Sequence, residues 1–546
     1  NTRGRQEGRP YPGSQQVIHP ISGFGMPGNF LCFVAKSGLN LLSNLKQSTT
    51  VKDHSEMDGR EQAVLKLNEG LTSRALKIWK GDDTVPSQLS IYDGLEDLFN
   101  PNRIKQIRST GTDSPMRERL FHSLLGHYLQ YRVSPYENEL FTWLKGAAAH
   151  VNGEKIYFQD ILPWCQKQSD LNGRRILVKE TSSLCKFLKP FALSFWEVFL
   201  AILSEEFGYE TYSAYCEDKK QIDYQGYVRK LLRLLNQTEE MYLGAMETWV
   251  QESLGRPLFE LNRFDAIYLL GLGELDRFFP EKIPLVDHLD FFSNWGIGVK
   301  KLAGLHLDID YSPQKSSQAM SFALRIPQNI HLVMNPQGGW VDLETLFHEM
   351  GHALSHTFTS RELSPSEKDF FTSNALSETY AFLLQNITLS PPFLERQLKL
   401  SPREIDAITF YKTLKDLSVF RRYAGKFLAE YQMFAENDLA NGEPYATLLK
   451  KHTGFSYLPE TQLFDLAPEF YALDYLVSWM AEATIEKNLR KTLGPEWMFR
   501  AEAGAILKEW WFTGNRYELD EFFQVNGLGT IDSADILNRW LDKIPT

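Results

Sequence analysis

The chain has 546 residues, 43% hydrophobic and 23% charged, which is ordinary for a globular protein and long enough for a large core, with two or more lobes as the starting expectation. A formal net charge of −11 argues against a general nucleic-acid binder or a binder of anionic membranes, because such proteins carry a basic surface. Four cysteines with no C-x-x-C spacing argue against a disulfide framework or a cysteine-zinc site, and reduced thiols in a cytoplasm are the simpler expectation.

Residues 1–55 are rich in Gly, Pro, Ser and Gln and are expected to form a poorly ordered extension. Their apolar stretch is broken by Lys36 and Gly38 and does not read as a secretory signal. From about Gln62 the pattern is helical: Ala63, Leu65, Leu67, Leu71, Ala75, Leu76 and Trp79 recur at roughly helical spacing. Further helices are expected over 116–131, 136–149, 191–207 and 224–254. No segment is expected to span a membrane, since the most apolar one, 187–203, is interrupted by Lys189, Pro190 and Glu197. The Leu270-Gly-Leu-Gly sequence lacks a third glycine and a preceding strand, so it is not a dinucleotide loop.

Between about 302 and 335 the period changes to two. Leu305, Leu307 and Ile309 alternate with His306 and Asp308, and 320–326 and 330–334 read as short strands around Pro327-Gln328-Asn329. Helices over 366–385 and 401–436 follow. The expected class is mostly α with a small, partly antiparallel sheet. The expected division is an extension to residue 55, a helical lobe over 56–290 and a metal-binding catalytic region over 291–546.

Just after the strands, His348-Glu-Met-Gly-His352 is an H-E-x-x-H sequence in helical context. Asp342 can cap that helix after Gly338-Gly339, and Leu343, Leu346, Phe347, Met350, Ala353 and Leu354 give it an apolar face. Residues four apart share a helix face, so His348 and His352 can present two imidazoles to one ion. Zinc suits neutral imidazole, and a catalytic site keeps three protein ligands and an open position. Glu349 can then reach a water without coordinating. For the third ligand, Glu378 is a carboxylate in an apolar run, a costly position unless a cation compensates it. Glu344, Glu362 and Glu367 look like solvated surface. His356, one turn further, is expected to support the site or face solvent rather than bind.

Phe347 followed by His-Glu-Met-Gly-His-Ala-Leu, with Glu378 lying 26 residues after His352, resembles the thimet oligopeptidase and oligoendopeptidase F family of zinc peptidases. The similarity is closest over 320–385 and weaker to about 493. The resemblance implies a large helical two-lobed fold with the active site in a deep channel and a small sheet beside the zinc helices. It implies zinc on His348, His352 and Glu378, with Glu349 as general base and a peptide as substrate. Such peptidases also use a His and several tyrosines near the C-terminus. Here the matching stretch offers Tyr471 and Tyr475, with Glu469 where His is expected and Val477 where a further Tyr often occurs. Nucleic-acid and membrane partners are not expected. The alternatives are a zinc carboxypeptidase of the same architecture, a hydrolase of non-peptide amides, and a non-catalytic peptide-binding homologue.

Overall fold

The computed structural model describes residues 49–544, apart from 83, 86, 87, 110–113 and 280–283. Residues 1–48, most of the expected extension, lie outside the described residues. Helix α1 (Thr49–Trp79) starts earlier than the apolar period suggests. It turns Val64, Leu67, Leu71, Ala75 and Trp79 into the core, a spacing of three to four that keeps one face inward.

Helix α2 (Pro115–Gly146) joins the two helices expected at 116–131 and 136–149, with Pro135 inside it. Proline removes one backbone donor. The helix persists because the buried face continues from Leu129 and Val133 to Leu140 and Leu144. Strands β1 (Ala148–Val151) and β2 (Glu154–Tyr157) follow as an antiparallel hairpin that the period did not reveal. Its signal is the Asn152-Gly153 pair, both with positive φ, the arrangement a two-residue hairpin turn requires.

Helix α3 (Leu171–Ala201) runs on through a π turn over Ile202–Glu206. By length and composition it is the one described helix apolar enough to cross a membrane. Here Leu177, Leu188, Phe195, Trp196 and Phe199 are packed into the core. After α4 (Tyr212–Lys220), the helix expected over 224–254 is two, Tyr224–Gln237 and Glu239–Leu254. Thr238 separates them, its hydroxyl donating back to Leu234 O at 2.8 Å and accepting from Arg421 at 2.7 Å. Helix α5 (Arg263–Leu270) starts on a capping box of Asn262 and Asp265.

The site is carried by a three-stranded sheet and four helices. β3 (Leu305–Asp308) is parallel to β5 (Asn329–Val333), and β4 (Met320–Arg325) is antiparallel to β5, in the order β3-β5-β4. Trp79 and Leu76 of α1 pack against Phe322, Leu324 and Val333. Then come α6 (Trp340–Phe358), α7 (Ala375–Ile387), α8 (Pro402–Ala435) and α9 (Tyr471–Leu493). The helix expected over 366–385 is instead one turn, Pro365–Lys368, an irregular stretch and then α7. The molecule is mostly α with small sheets, and one buried apolar core runs from Val64 to Ile544.

The entry to α6 corrects one expectation. Asp342 does not cap the first helical amides; its carboxylate accepts from the backbone N–H groups of Gln337 and Gly338 at 2.9 and 2.6 Å. The first helical amide, Trp340 N–H, donates to Asp276 at 3.2 Å. Gly339, at φ 90°, passes so close that a Cβ would stand 2.1 Å from that carboxylate.

Gly351 sets the approach of α6 to α7. A Cβ there would lie 2.5 Å from Ala381 Cα and 2.7 Å from Tyr380 O, and backbone cannot yield as a flexible side chain can. Gly351→Ala is therefore expected to force the two helices apart and to lower stability by about 1–3 kcal/mol, despite alanine's better helix propensity. A denaturant titration of both proteins checks this.

Candidate metal centre

α6 projects His348 and His352 from one face, with ring centroids 5.1 Å apart. The close crossing at Gly351 brings Glu378, in the first turn of α7, between them. Glu378 Oε2 lies 3.5 Å from His348 Nε2 and 3.7 Å from His352 Nε2, and one donor atom from each residue lies within 4.8 Å of the others. The three residues singled out from sequence thus form one group of donors.

The ring tautomer of His348 follows from its partners. Gln385 on α7 uses its amide nitrogen to donate to Glu344 at 3.1 Å. Its oxygen therefore faces His348 Nδ1 at 2.7 Å and accepts from it. The proton sits on Nδ1, and the Nε2 lone pair points at Glu378. Glu344 is held in turn by Lys415 of α8 at 3.2 Å. His352 Nδ1 is fixed against Ser377 Oγ at 2.8 Å.

The electrostatics suit a cation. Burial pushes the His348 imidazole down to about 4, so the ring is neutral near pH 7. Burial pushes Glu378 up to about 8, against the opposing hydrogen bond from Tyr471. Glu378 Oε2 is buried and has no hydrogen-bond partner, while Oε1 accepts the Tyr471 hydroxyl at 2.5 Å. A carboxylate oxygen so placed, facing two imidazole nitrogens, fits the donor set of a divalent ion that takes nitrogen and oxygen. Glu349 points into the same space. Burial pushes its carboxyl up to about 7, a hydrogen bond from the Ser321 backbone on β4 opposes this, and its Oε2 has no hydrogen-bond partner.

A cavity of about 220 Å³ opens on this group. α1, α2 and α4 contribute Thr72, Gln130 and Lys219 to its wall, and the sheet and α9 contribute Ser321, Tyr471 and Tyr475. The two tyrosines pack edge to face at 5.0 Å, and Tyr475 stacks on Tyr423. Glu469 also reaches the wall. It sits in the left-handed region at φ 55°, its carboxylate bound by Lys219 at 2.7 Å and by the Tyr215 hydroxyl at 2.8 Å. Lys219 and Lys220 hold it below the usual carboxylate range in spite of its burial.

Other sequence candidates fall elsewhere. Glu344 is no surface residue: it is 1% exposed and forms the link between Gln385 and Lys415. That role was legible only in its place one turn before His348, on the same face. Glu362 is exposed, and Glu367 caps its own short helix and pairs with Arg516 at 2.7 Å. His356 is buried edge-on to Phe371, outside the donor group. Arg325 on β4 lies outside the group as well and pairs with Glu69 at 3.2 Å. Gln385 and Ser377 were missed, because neutral side chains on a second helix carry no ligand signal. A second cluster, Glu118, His122 and Asp218, surrounds the guanidinium of Arg108, which lies 2.7 Å from Asp218 and 2.8 Å from His122. That arginine already supplies the positive charge.

No protein-family model matches the sequence, and no curated protein is significantly similar to it.

Gln385→Leu removes the acceptor on His348 Nδ1 and leaves the three donors in place. Metal affinity is expected to fall about 10–100-fold. Competition against a chelator of known affinity reads the change, with circular dichroism showing the fold unchanged.

Proposed function

We propose that this protein is a zinc metallopeptidase, as its resemblance to the thimet oligopeptidase and oligoendopeptidase F family implies. The observation that carries the reading is the convergence of His348, His352 and Glu378 beside a buried Glu349 on the wall of a large cavity. The three residues would hold the zinc. When bound, zinc supplies a Lewis acid that polarises the scissile carbonyl and acidifies water.

The remaining steps belong to the chain. Glu349 takes the proton of the attacking water and passes it to the leaving amine. A buried carboxyl close to the working pH suits both halves of that transfer. A phenol stabilises the developing oxyanion. Tyr475 is the better placed, since the Tyr471 proton is already given to Glu378. β4 is an edge strand of its sheet, and its residues 320–323 line the cavity. An extended peptide can add to it by backbone hydrogen bonds, which give affinity with little sequence selectivity.

The cavity lies between helices from the first half of the chain and the metal-bearing second half, in keeping with a channel between two lobes. Cleavage within a peptide is favoured over release of a C-terminal residue. Of lysines and arginines, only Lys219 lines the cavity among the described residues, and it is bound to Glu469. No second cation there receives a terminal carboxylate. Three buried cysteines without disulfides, Cys165, Cys185 and Cys216, support a reducing, cytoplasmic setting.

Cut sites in a defined peptide library, mapped by mass spectrometry with metal content measured on the same sample, test the proposal. Internal cuts abolished by a chelator and restored by zinc are expected. Chelator-insensitive cleavage, or no cleavage by the zinc-loaded protein, rejects it. Glu349→Gln should keep stoichiometric zinc and lose at least about 10²–10⁴-fold in turnover, whereas His352→Ala should lose the metal.

The tyrosines separate by the same assays. Tyr475→Phe should lower kcat by about 10²–10³-fold with zinc content unchanged. Tyr471→Phe should weaken zinc binding, because it strips a hydrogen bond from a ligand.

A further inference from the structure

Helix α2 brings to the wall of the large cavity a histidine that the proposed chemistry does not use. His122 is 2% exposed and lines the same space as the metal donors, Glu349 and β4. Its Nε2 lies 2.8 Å from Arg108 Nη2. A guanidinium has only hydrogens to give, so Nε2 accepts. Burial and the neighbouring Arg108 charge push the imidazole down to about 3. The ring is therefore neutral and carries its one proton on Nδ1. That N–H is buried and has no hydrogen-bond partner.

A buried donor with nothing to bond is rare in a folded protein and costly. The Glu469 carboxylate on the same wall does not relieve it, being occupied by Lys219 and the Tyr215 hydroxyl. Thr72 on α1 is in the same position as His122. It is 3% exposed, lines the cavity, and its Oγ1 is buried without a partner.

The space beside His122 is kept open. Gly126 lies one turn further along the same face of α2 and also lines the cavity. A Cβ there would meet nothing within 4 Å, so no neighbour requires glycine at a position where it weakens the helix. Bare backbone at that point leaves room for a ligand. An extended peptide that adds to β4 through one edge leaves the N–H and C=O groups of its other edge unpaired. His122 Nδ1–H can serve only an acceptor, and the Thr72 hydroxyl can serve either group.

We propose that His122 binds the substrate peptide, its Nδ1–H donating to a backbone carbonyl on the edge that β4 leaves unpaired. This rests on the reading of a peptide as substrate but on none of the metal's chemistry. The group recognised is an amide carbonyl, so the contact adds affinity and fixes register without selecting a side chain.

Amide substitutions separate the two ring nitrogens. An asparagine amide reaches as far as Nδ1, and a glutamine amide as far as Nε2. His122→Asn keeps a donor toward the cavity and gives up the acceptor for Arg108, whereas His122→Gln does the reverse. The probe is a fluorescein-labelled ten-residue peptide of alanine and serine with a central leucine. Its binding is read by anisotropy in the zinc-loaded full-length Glu349→Gln protein, so that cleavage does not intervene. His122→Gln should raise the dissociation constant about 5–10-fold, and His122→Asn should leave it nearly unchanged. Replacing each peptide amide in turn by a thioamide, a poorer acceptor, should weaken binding at one position, and that effect should vanish with His122→Gln. Should the His122 variants fail to fold, Gly126→Leu keeps the histidine, fills the space beside it and should abolish binding. The proposal is overturned if His122→Asn binds worse than His122→Gln, which marks the ring as a prop for Arg108 alone. No thioamide position coupled to His122, binding that survives Gly126→Leu, or no binding of the peptide at all overturns it equally. Weaker binding with His122→Gln in a protein that cleaves no peptide upholds the contact and rejects the peptidase. Cleavage by otherwise wild-type protein with kcat/KM unchanged by His122→Gln does the opposite.

Discussion

Two helices can approach only as closely as their facing side chains permit, and between α6 and α7 the limiting group at Gly351 is a hydrogen atom. That crossing places the first turn of α7 against the histidine face of α6, with Glu378 Oε2 about equally far from both Nε2 atoms. A larger residue would widen the gap by roughly the width of a methyl group, and three donors would no longer surround one point. The glycine inside H-E-M-G-H is thus a packing requirement for the geometry of the whole centre.

Around this crossing lies a layered arrangement of charge. Two imidazoles and a carboxyl group face inward, and their outer atoms are held by Gln385, Ser377 and Tyr471. Behind Gln385, Glu344 and Lys415 complete the chain. Each link leaves the next one a single way to turn, so the first histidine's proton position is set by a lysine on another helix. Desolvation does the rest, keeping His348 neutral and its carboxylate neighbours reluctant to ionise without a cation.

The C-terminal segment shows how a buried carboxylate on the cavity wall is accommodated. Glu469 by itself would be an unpaired charge on the cavity wall. Lys219 and Tyr215 on α4 neutralise and orient it, and Lys220 holds Asp474 one turn further on. The left-handed conformations at Glu469 and Phe470 turn the chain into α9, so that Tyr471 and Tyr475 face the metal donors. The Glu469 side chain therefore acts as an anchor for the start of that helix.

Much of the centre was legible in the amino-acid sequence because its signals are local. Helical spacing placed His348 and His352 on one face, a charge in an apolar run marked Glu378, and alternation located the strands beside them. What escaped depends on contacts between segments distant along the chain. The burial of Glu344, the roles of Gln385 and Ser377, the pairing of Arg325 with Glu69 and the fate of Glu469 each need a partner from another helix. Helix ends escaped for a related reason: Pro135 stays helical, and 224–254 breaks at Thr238, because tertiary burial and Arg421 outweigh local propensity. Local pattern determined which residues are chemically equipped and which way they face along their own element. Only the packed structure decided which of them meet, since distances between helices come from side-chain volume and buried charge.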